Sequence, residues 1–132
     1  IFMKKILLLL FFVSLSSYSQ NWIYTSKDKF GNKYYIKNKA VSVNDGFVKI
    51  WTKRTTWKVT HNNKDYLNCY MVVLYEYDCN NDKIRQLSFT IYNSKGGVIA
   101  SGGDGDFAEW DYVVPDSVEE SRIKKTCEMF NN

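Results

Sequence analysis

The longest run of strand-forming residues in the chain is LNCYMVVLYEYDC, residues 67–79. Tyr70, Val72 and Leu74 alternate with Met71, Val73 and Tyr75, so this strand carries apolar side chains on both faces. That pattern predicts a central strand with cover on each side. Asn80-Asn81-Asp82 joins it to a second β-rich run, Ile84 to Tyr92, and the pair reads as a hairpin. Upstream, shorter runs at 22–26, 33–37 and 47–53 are separated by the turn signals Phe30-Gly31-Asn32 and Asn44-Asp45-Gly46. In the third of these, Val48, Ile50 and Thr52 alternate with Phe47, Lys49 and Trp51, which mixes aromatic and charge on one face. His61 to Asp65 is polar and turn-like, residues 97–100 make a weaker sixth strand, and a Gly/Asp-rich loop follows at 101–106.

Near the C-terminal end the period changes. Asp116 is placed as an N-cap with Glu119 three residues on, and Val118, Ile123, Cys127 and Phe130 share one side of a predicted amphipathic helix. Strands first and one helix last predict an α+β fold: about six antiparallel strands in a meander with the C-terminal helix packed on them.

Met3-Lys4-Lys5, the apolar run Ile6 to Val13 and the small-residue exit Ser17-Tyr18-Ser19 have the three parts of a secretory signal peptide. The expected leader is residues 1–19, with Met3 as initiator, and residues 20–132 form one domain. The apolar run is far short of the ~20 residues that span a bilayer, and no cysteine stands at the expected cut to take a lipid anchor. Export to the periplasm, the cell surface or the medium follows. Losing Lys4 and Lys5 lowers the formal charge from +4 to +2, which with export sets nucleic acid aside as a partner. Residues 20–65 hold ten Lys/Arg against three Asp/Glu, and residues 66–132 six against eleven.

Three cysteines in an exported domain predict one disulfide and one thiol. Cys69 and Cys79 stand ten residues apart in one predicted strand, about 33 Å at ~3.3 Å per residue, whereas a disulfide needs Cα atoms within ~7 Å. Of the two pairings left, Cys79–Cys127 is the better placed, since it pins the helix to the end of the strand, and Cys69 is then the free thiol. Cys69–Cys127 stays open at this level.

Candidate chemistry is sparse. His61 lies in a polar stretch without a nucleophile or acid beside it; Asp104-Gly105-Asp106 lacks the spacing of a calcium loop; Glu109 and Asp111 flank Trp110 as surface acids around one aromatic. No catalytic residue, metal set or cofactor motif is assigned. Aromatic residues make up 17% of the chain. Core duty accounts for most of them, but Tyr24, Tyr35, Trp51 and Trp57 are candidates for an exposed binding patch. Beside Trp51 and Trp57, the basic set Lys49, Lys53, Arg54 and Lys58 completes the candidate surface, although lysines protecting a solvated edge strand explain the set as well.

Taken together, Trp22, Tyr34-Tyr35-Ile36, Val48-Lys49-Ile50-Trp51, Tyr75-Glu76-Tyr77-Asp78-Cys79, Arg85-Gln86-Leu87-Ser88, Trp110, Val114-Pro115-Asp116-Ser117 and Cys127 resemble the surface-adhesin protein E family. The resemblance implies a six-stranded antiparallel sheet with the C-terminal helix tethered by Cys79–Cys127, in a bacterial cell-envelope protein. It implies extracellular-matrix or other envelope proteins as partners, and a family member that dimerises. No ligand contact of the family has a matching motif here. The expectation is a non-enzymatic, adhesin-like protein that makes protein–protein contact through a sheet face or edge. The alternative is a periplasmic small-ligand-binding or inhibitor-like housekeeping domain.

Overall fold

The computed structural model describes residues 21–131, so the expected leader, residues 1–19, lies outside the described residues. Within them are eight strands and one α-helix: β1 (Trp22–Lys27), β2 (Lys33–Lys37), β3 (Ser42–Asn44), β4 (Phe47–His61), β5 (Lys64–Asp78), β6 (Lys83–Tyr92), β7 (Val98–Gly102), β8 (Asp111–Tyr112) and α1 (Val118–Phe130). The α+β class is as expected. Six strands form one antiparallel sheet in the order β1-β2-β4-β5-β6-β7, and two short ones add to it, β3 on β4 and β8 on β6. The strand count is therefore eight rather than six, because Ser42–Asn44 and Asp111–Tyr112 are too short to leave a periodic signal.

Turn chemistry sets the registers. Asp45 (φ 49°) and Gly46 (φ 84°) connect Asn44 to its partner Phe47, and Asn62 (φ 50°) and Asn63 (φ 61°) connect His61 to its partner Lys64. Two consecutive left-handed residues make the twisted two-residue turn that antiparallel hairpins favour. His61 is thus the last residue of a strand rather than part of a loop. β4 runs eight residues beyond the predicted Lys53, because Thr55, Thr56, Trp57 and Val59 continue to suit a strand. As far as Arg54 it is also an interior strand, so lysines guarding an edge do not explain Lys49, Lys53 or Arg54, whereas Lys58 lies where β4 pairs with β5 alone. The two fifteen-residue strands outrun their neighbours. β2 reaches β4 only as far as Arg54, and β6 meets β5 only from Tyr70, leaving a two-stranded arm beyond them.

One face of the sheet is covered by α1. Ile36, Val48, Ile50, Tyr77, Ile84 and Ile123 form the core between them, with Ile23, Tyr75, Met129 and Phe130 packed around it. Each fully buried aliphatic side chain contributes roughly 1.5–3 kcal/mol. The helix N-cap is Ser117, one residue later than expected: its Oγ accepts the Glu120 amide at 3.2 Å, while Asp116 takes a left-handed φ of 62° in the turn before it. The buried side of α1 is Arg122, Ile123 and Thr126. Arg122 was invisible to the apolar pattern, yet its guanidinium lies 5.2 Å from the Tyr34 ring and 4.8 Å from the Tyr75 ring and pairs with Glu119 at 3.2 Å. Burial pushes the neighbouring Tyr77 hydroxyl far above its ordinary pKa, so that it stays neutral.

Cys79 and Cys127 are disulfide-bonded, with Cα atoms 5.9 Å apart, and the bond ties α1 to the end of β5. Cys69 is the free thiol; it is buried, and that burial raises its pKa. Among the described residues no helix is long and apolar enough to cross a membrane.

Candidate functional site: the open face of the sheet

Because side chains alternate along a strand, the residues opposite the covered set form a second face. β1 and β2 place Trp22, Tyr24, Tyr35 and Lys37 there, β4 places Lys49, Trp51, Lys53 and Trp57, and β5 and β6 place Tyr70, Val72, Thr90 and Tyr92. The helix does not reach this face. Tyr24 is 51% exposed, Trp51 37% and Trp57 61%, values that leave large aromatic surface in water.

The side chains form an ordered lattice. Lys37 Nζ stands 4.5 Å from the Trp22 ring, and Lys53 Nζ lies between Tyr70 (5.0 Å) and Trp22 (5.9 Å). Tyr70 stacks on Tyr92 with centroids 4.9 Å apart, and Tyr24 meets Tyr35 edge-on at 5.8 Å. Each lysine head is attracted to the ring faces and remains accessible at the surface.

Two shallow hollows lie along this face. One, of about 280 Å³, is lined by Trp22, Lys37, Trp51, Val72, Thr90 and Tyr92. The other, of about 380 Å³, lies further along β4 and β5, where Phe30 and Asn32 of the β1–β2 turn meet Lys53, Thr55, Trp57 and Asn68.

The foot of the same face is closed. Arg85 pairs with Glu76 at 2.6 Å with both side chains largely buried, and donates to the Asp106 carbonyl at 3.0 Å. The Trp110 ring covers the Arg85 guanidinium at 4.7 Å and packs on Phe47 at 5.7 Å. Asp106 pairs with Lys49 at 3.7 Å. The Gly/Asp-rich loop is therefore a cover for the foot of the sheet, and Trp110 is half-buried between its exposed neighbours Glu109 and Asp111.

The structure brings together Lys49, Trp51, Lys53 and Trp57 of the candidate surface. It does not bring Arg54 to them, since Arg54 falls on the other face opposite Tyr34 and Met71. Lys58 also alternates to that face and pairs with Asp65 at 3.4 Å, although its Nζ stays 5.9 Å from the Trp57 ring. Trp22, Lys37, Tyr70 and Tyr92 were missed by the sequence reading. They come from four different strands, and only the strand order sets them beside Trp51 and Lys53.

Reactive groups do not converge on either face. His61 is half-exposed at the strand end, and among the described residues no three His, Cys, Asp or Glu side chains gather to hold a metal ion. What the open face offers is aromatic surface, hydroxyls and fixed positive charge.

The model of the surface-adhesin protein E family matches residues 22–128, which takes in all eight strands and nearly all of the helix. The chain belongs to that family. Several solved structures share its fold. The structure of Haemophilus influenzae protein E has 13% identity and a TM-score of 0.56, covering 85% of this chain and 87% of that one. Protein E from non-typeable Haemophilus influenzae has 12% identity and a TM-score of 0.53, covering 83% and 77%. A second crystal form of Haemophilus influenzae protein E gives 12% and 0.58, covering 86% and 92%. No curated protein matches the sequence. At such identities the likeness to the solved structures carries the fold, and the binding surface has to be read from this family member's own residues.

Proposed function

We propose that this protein is a non-enzymatic, adhesin-like binding module of the cell envelope, which contacts an extracellular-matrix or envelope protein through the open sheet face. One observation carries the reading: the central strands leave a face uncovered, and that face presents Trp22, Trp51, Trp57, Tyr24 and ordered lysines. Exposed Trp and Tyr are costly to leave in water and are the residue types that dominate binding energy at interfaces. Membership of the surface-adhesin protein E family supports the same reading. Both hollows are shallow, which suits a macromolecular surface better than an enclosed small ligand.

Export, with cleavage before Gln20, belongs to this proposal. Protease shaving of intact cells tests it, with degradation at the surface expected and full protection counting against contact with a host. For the face itself, immobilised matrix proteins should retain the purified domain and lose most of it on Trp51→Ala/Lys53→Ala substitution. Equal retention of the double variant refutes the open face as the contact surface.

A further inference from the structure

We infer that the open face takes an acidic glycan chain carried by the partner protein, a run of sulfated or uronate sugars, rather than its polypeptide. The inference rests on the open face being the contact surface. Three properties of that face point to an anionic sugar polymer.

The first is charge. Above the closed foot the strands present Lys33, Lys37 and Lys53 on this side and no Asp or Glu. At the foot, Glu76 and Asp106 pair with Arg85 and Lys49, Asp78 accepts from Asn80 and Asn81, and Glu109 and Asp111 stand exposed beside Trp110. Asp28, behind the β1–β2 turn, has both carboxylate oxygens engaged, one with the amides of Phe30 and Asn32 and the other with the Asn32 side chain and the Tyr34 hydroxyl. Lys37 and Lys53 are already held over Trp22 and Tyr70, so less conformational freedom is lost when an anionic group arrives.

The second is shape. The hollows follow one another along β4, centred near Trp51 and near Thr55, roughly 13 Å apart at ~3.3 Å per residue. Lys53 and Tyr70 stand between them. Flat aromatic walls with a cation between two consecutive hollows fit a polymer whose repeating units each carry an apolar ring face and whose charges fall at intervals. The hollows also contain Thr55, Thr90, Asn32 and Asn68, groups that bond to hydroxyls at the rim of a sugar ring.

The third is the state of the backbone. Around the first hollow the main-chain groups of β2, β4, β5 and β6 are used in the sheet ladders, so an extended peptide cannot add there as a strand. A peptide would depend on side-chain anchors, for which the shallow hollows are poorly made.

Binding of a heparin-derived octasaccharide, of uncharged maltooctaose and of polyglutamate matched in charge, measured by calorimetry on the secreted domain, tests this. The octasaccharide should bind in a salt-dependent manner, and the other two should bind at least about tenfold more weakly. Lys37→Ala/Lys53→Ala and, at unchanged charge, Trp51→Ala/Trp57→Ala should each weaken the octasaccharide at least about tenfold, with thermal unfolding showing both variants folded. Lys124→Ala/Lys125→Ala on the exposed side of α1 should leave it unchanged. Equal binding of polyglutamate, or absence of octasaccharide binding, overturns the proposal. A matrix glycoprotein assayed before and after enzymatic removal of its glycans separates the two levels. Retention after deglycosylation that is still lost in Trp51→Ala/Lys53→Ala overturns the glycan and leaves the open face as the contact surface. Retention that the variant does not affect removes the contact surface itself.

Discussion

Opening the Cys79–Cys127 bond should take away a large part of the domain's stability. The linked cysteines are separated by 48 residues, and the chain-entropy relation for such a loop gives about 4 kcal/mol at 25 °C. Domains of this size are stable by only about 5–15 kcal/mol. The helix it tethers has 13 residues, near the length at which an isolated helix is marginal in water. Its remaining hold is Ile123 in the core, Met129 and Phe130 packed against that core, and the buried Arg122 and Thr126. Cys127→Ala should therefore lower the urea midpoint strongly and raise the denaturant dependence, since the unlinked chain exposes more surface on unfolding. Cys79→Ala/Cys127→Ala should cost little more than either single change, because one bond is removed in all three. Cys69→Ala is the reference, with a cost confined to the packing of one small buried side chain. Tryptophan fluorescence and far-UV dichroism through a urea titration provide the measurement. A loss below about 1 kcal/mol for Cys127→Ala, or an equal loss for Cys69→Ala, refutes the view that the tether acts by restricting the unfolded chain.

Asn63→Gly, at a residue with φ 61° in the β4–β5 turn, should raise stability by roughly 0.5–1 kcal/mol, read as a higher urea midpoint. Ser117→Ala removes the acceptor for the Glu120 amide and should cost about 1 kcal/mol, whereas Asp116→Ala removes no cap acceptor. Glu76→Ala leaves the largely buried Arg85 guanidinium without its carboxylate and should cost about 3 kcal/mol, with Trp110 fluorescence shifting as the foot of the open face loosens. Asp28 supplies a pH test. Desolvation works to raise its pKa, but donation from Asn32, Tyr34 and Phe30 brings it below its ordinary 3.8. The ionised form is thus favoured in the folded state, so this contribution is present above about pH 4 and is lost as pH falls through the lower folded value. Asp28→Asn should flatten the acid limb of a stability–pH curve; an unchanged limb contradicts the assignment.

The open face shows where strand patterning is informative and where it stops. Period two alone separates Lys49, Trp51 and Lys53 from Arg54 and Lys58 once β4 is known to continue past Lys53. The mixed polarity of Thr55 to Lys58 hid that continuation, because a strand with one half-solvated face carries no apolar run. Arg122 shows the complementary blind spot. A charged residue on a helix is read as solvent-facing, yet two tyrosine rings from β2 and β5 give its guanidinium a partner inside.

Local chemistry in the sequence determined the longer strands between Trp22 and Tyr92 (though not β3 or the continuation of β4 past Lys53), the turns at Asp45-Gly46 and Asn80 to Asp82, the terminal helix and, through reach along one strand, the exclusion of a Cys69–Cys79 bond. These depend on neighbours a few residues apart, and alternation, turn propensity and capping act over that range. Tertiary structure decided what lies beside what. Trp22, Lys37, Lys53, Tyr70 and Tyr92 are up to 70 residues apart in the chain and meet because β4 and β5 stand between β2 and β6. It decided, too, that α1 covers one face of the sheet while the 3-10 turn at Gly105–Phe107 and Trp110 close only the foot of the other. Strand order and register are global properties of the sheet, set by which faces can be buried together, and no window of the sequence contains them.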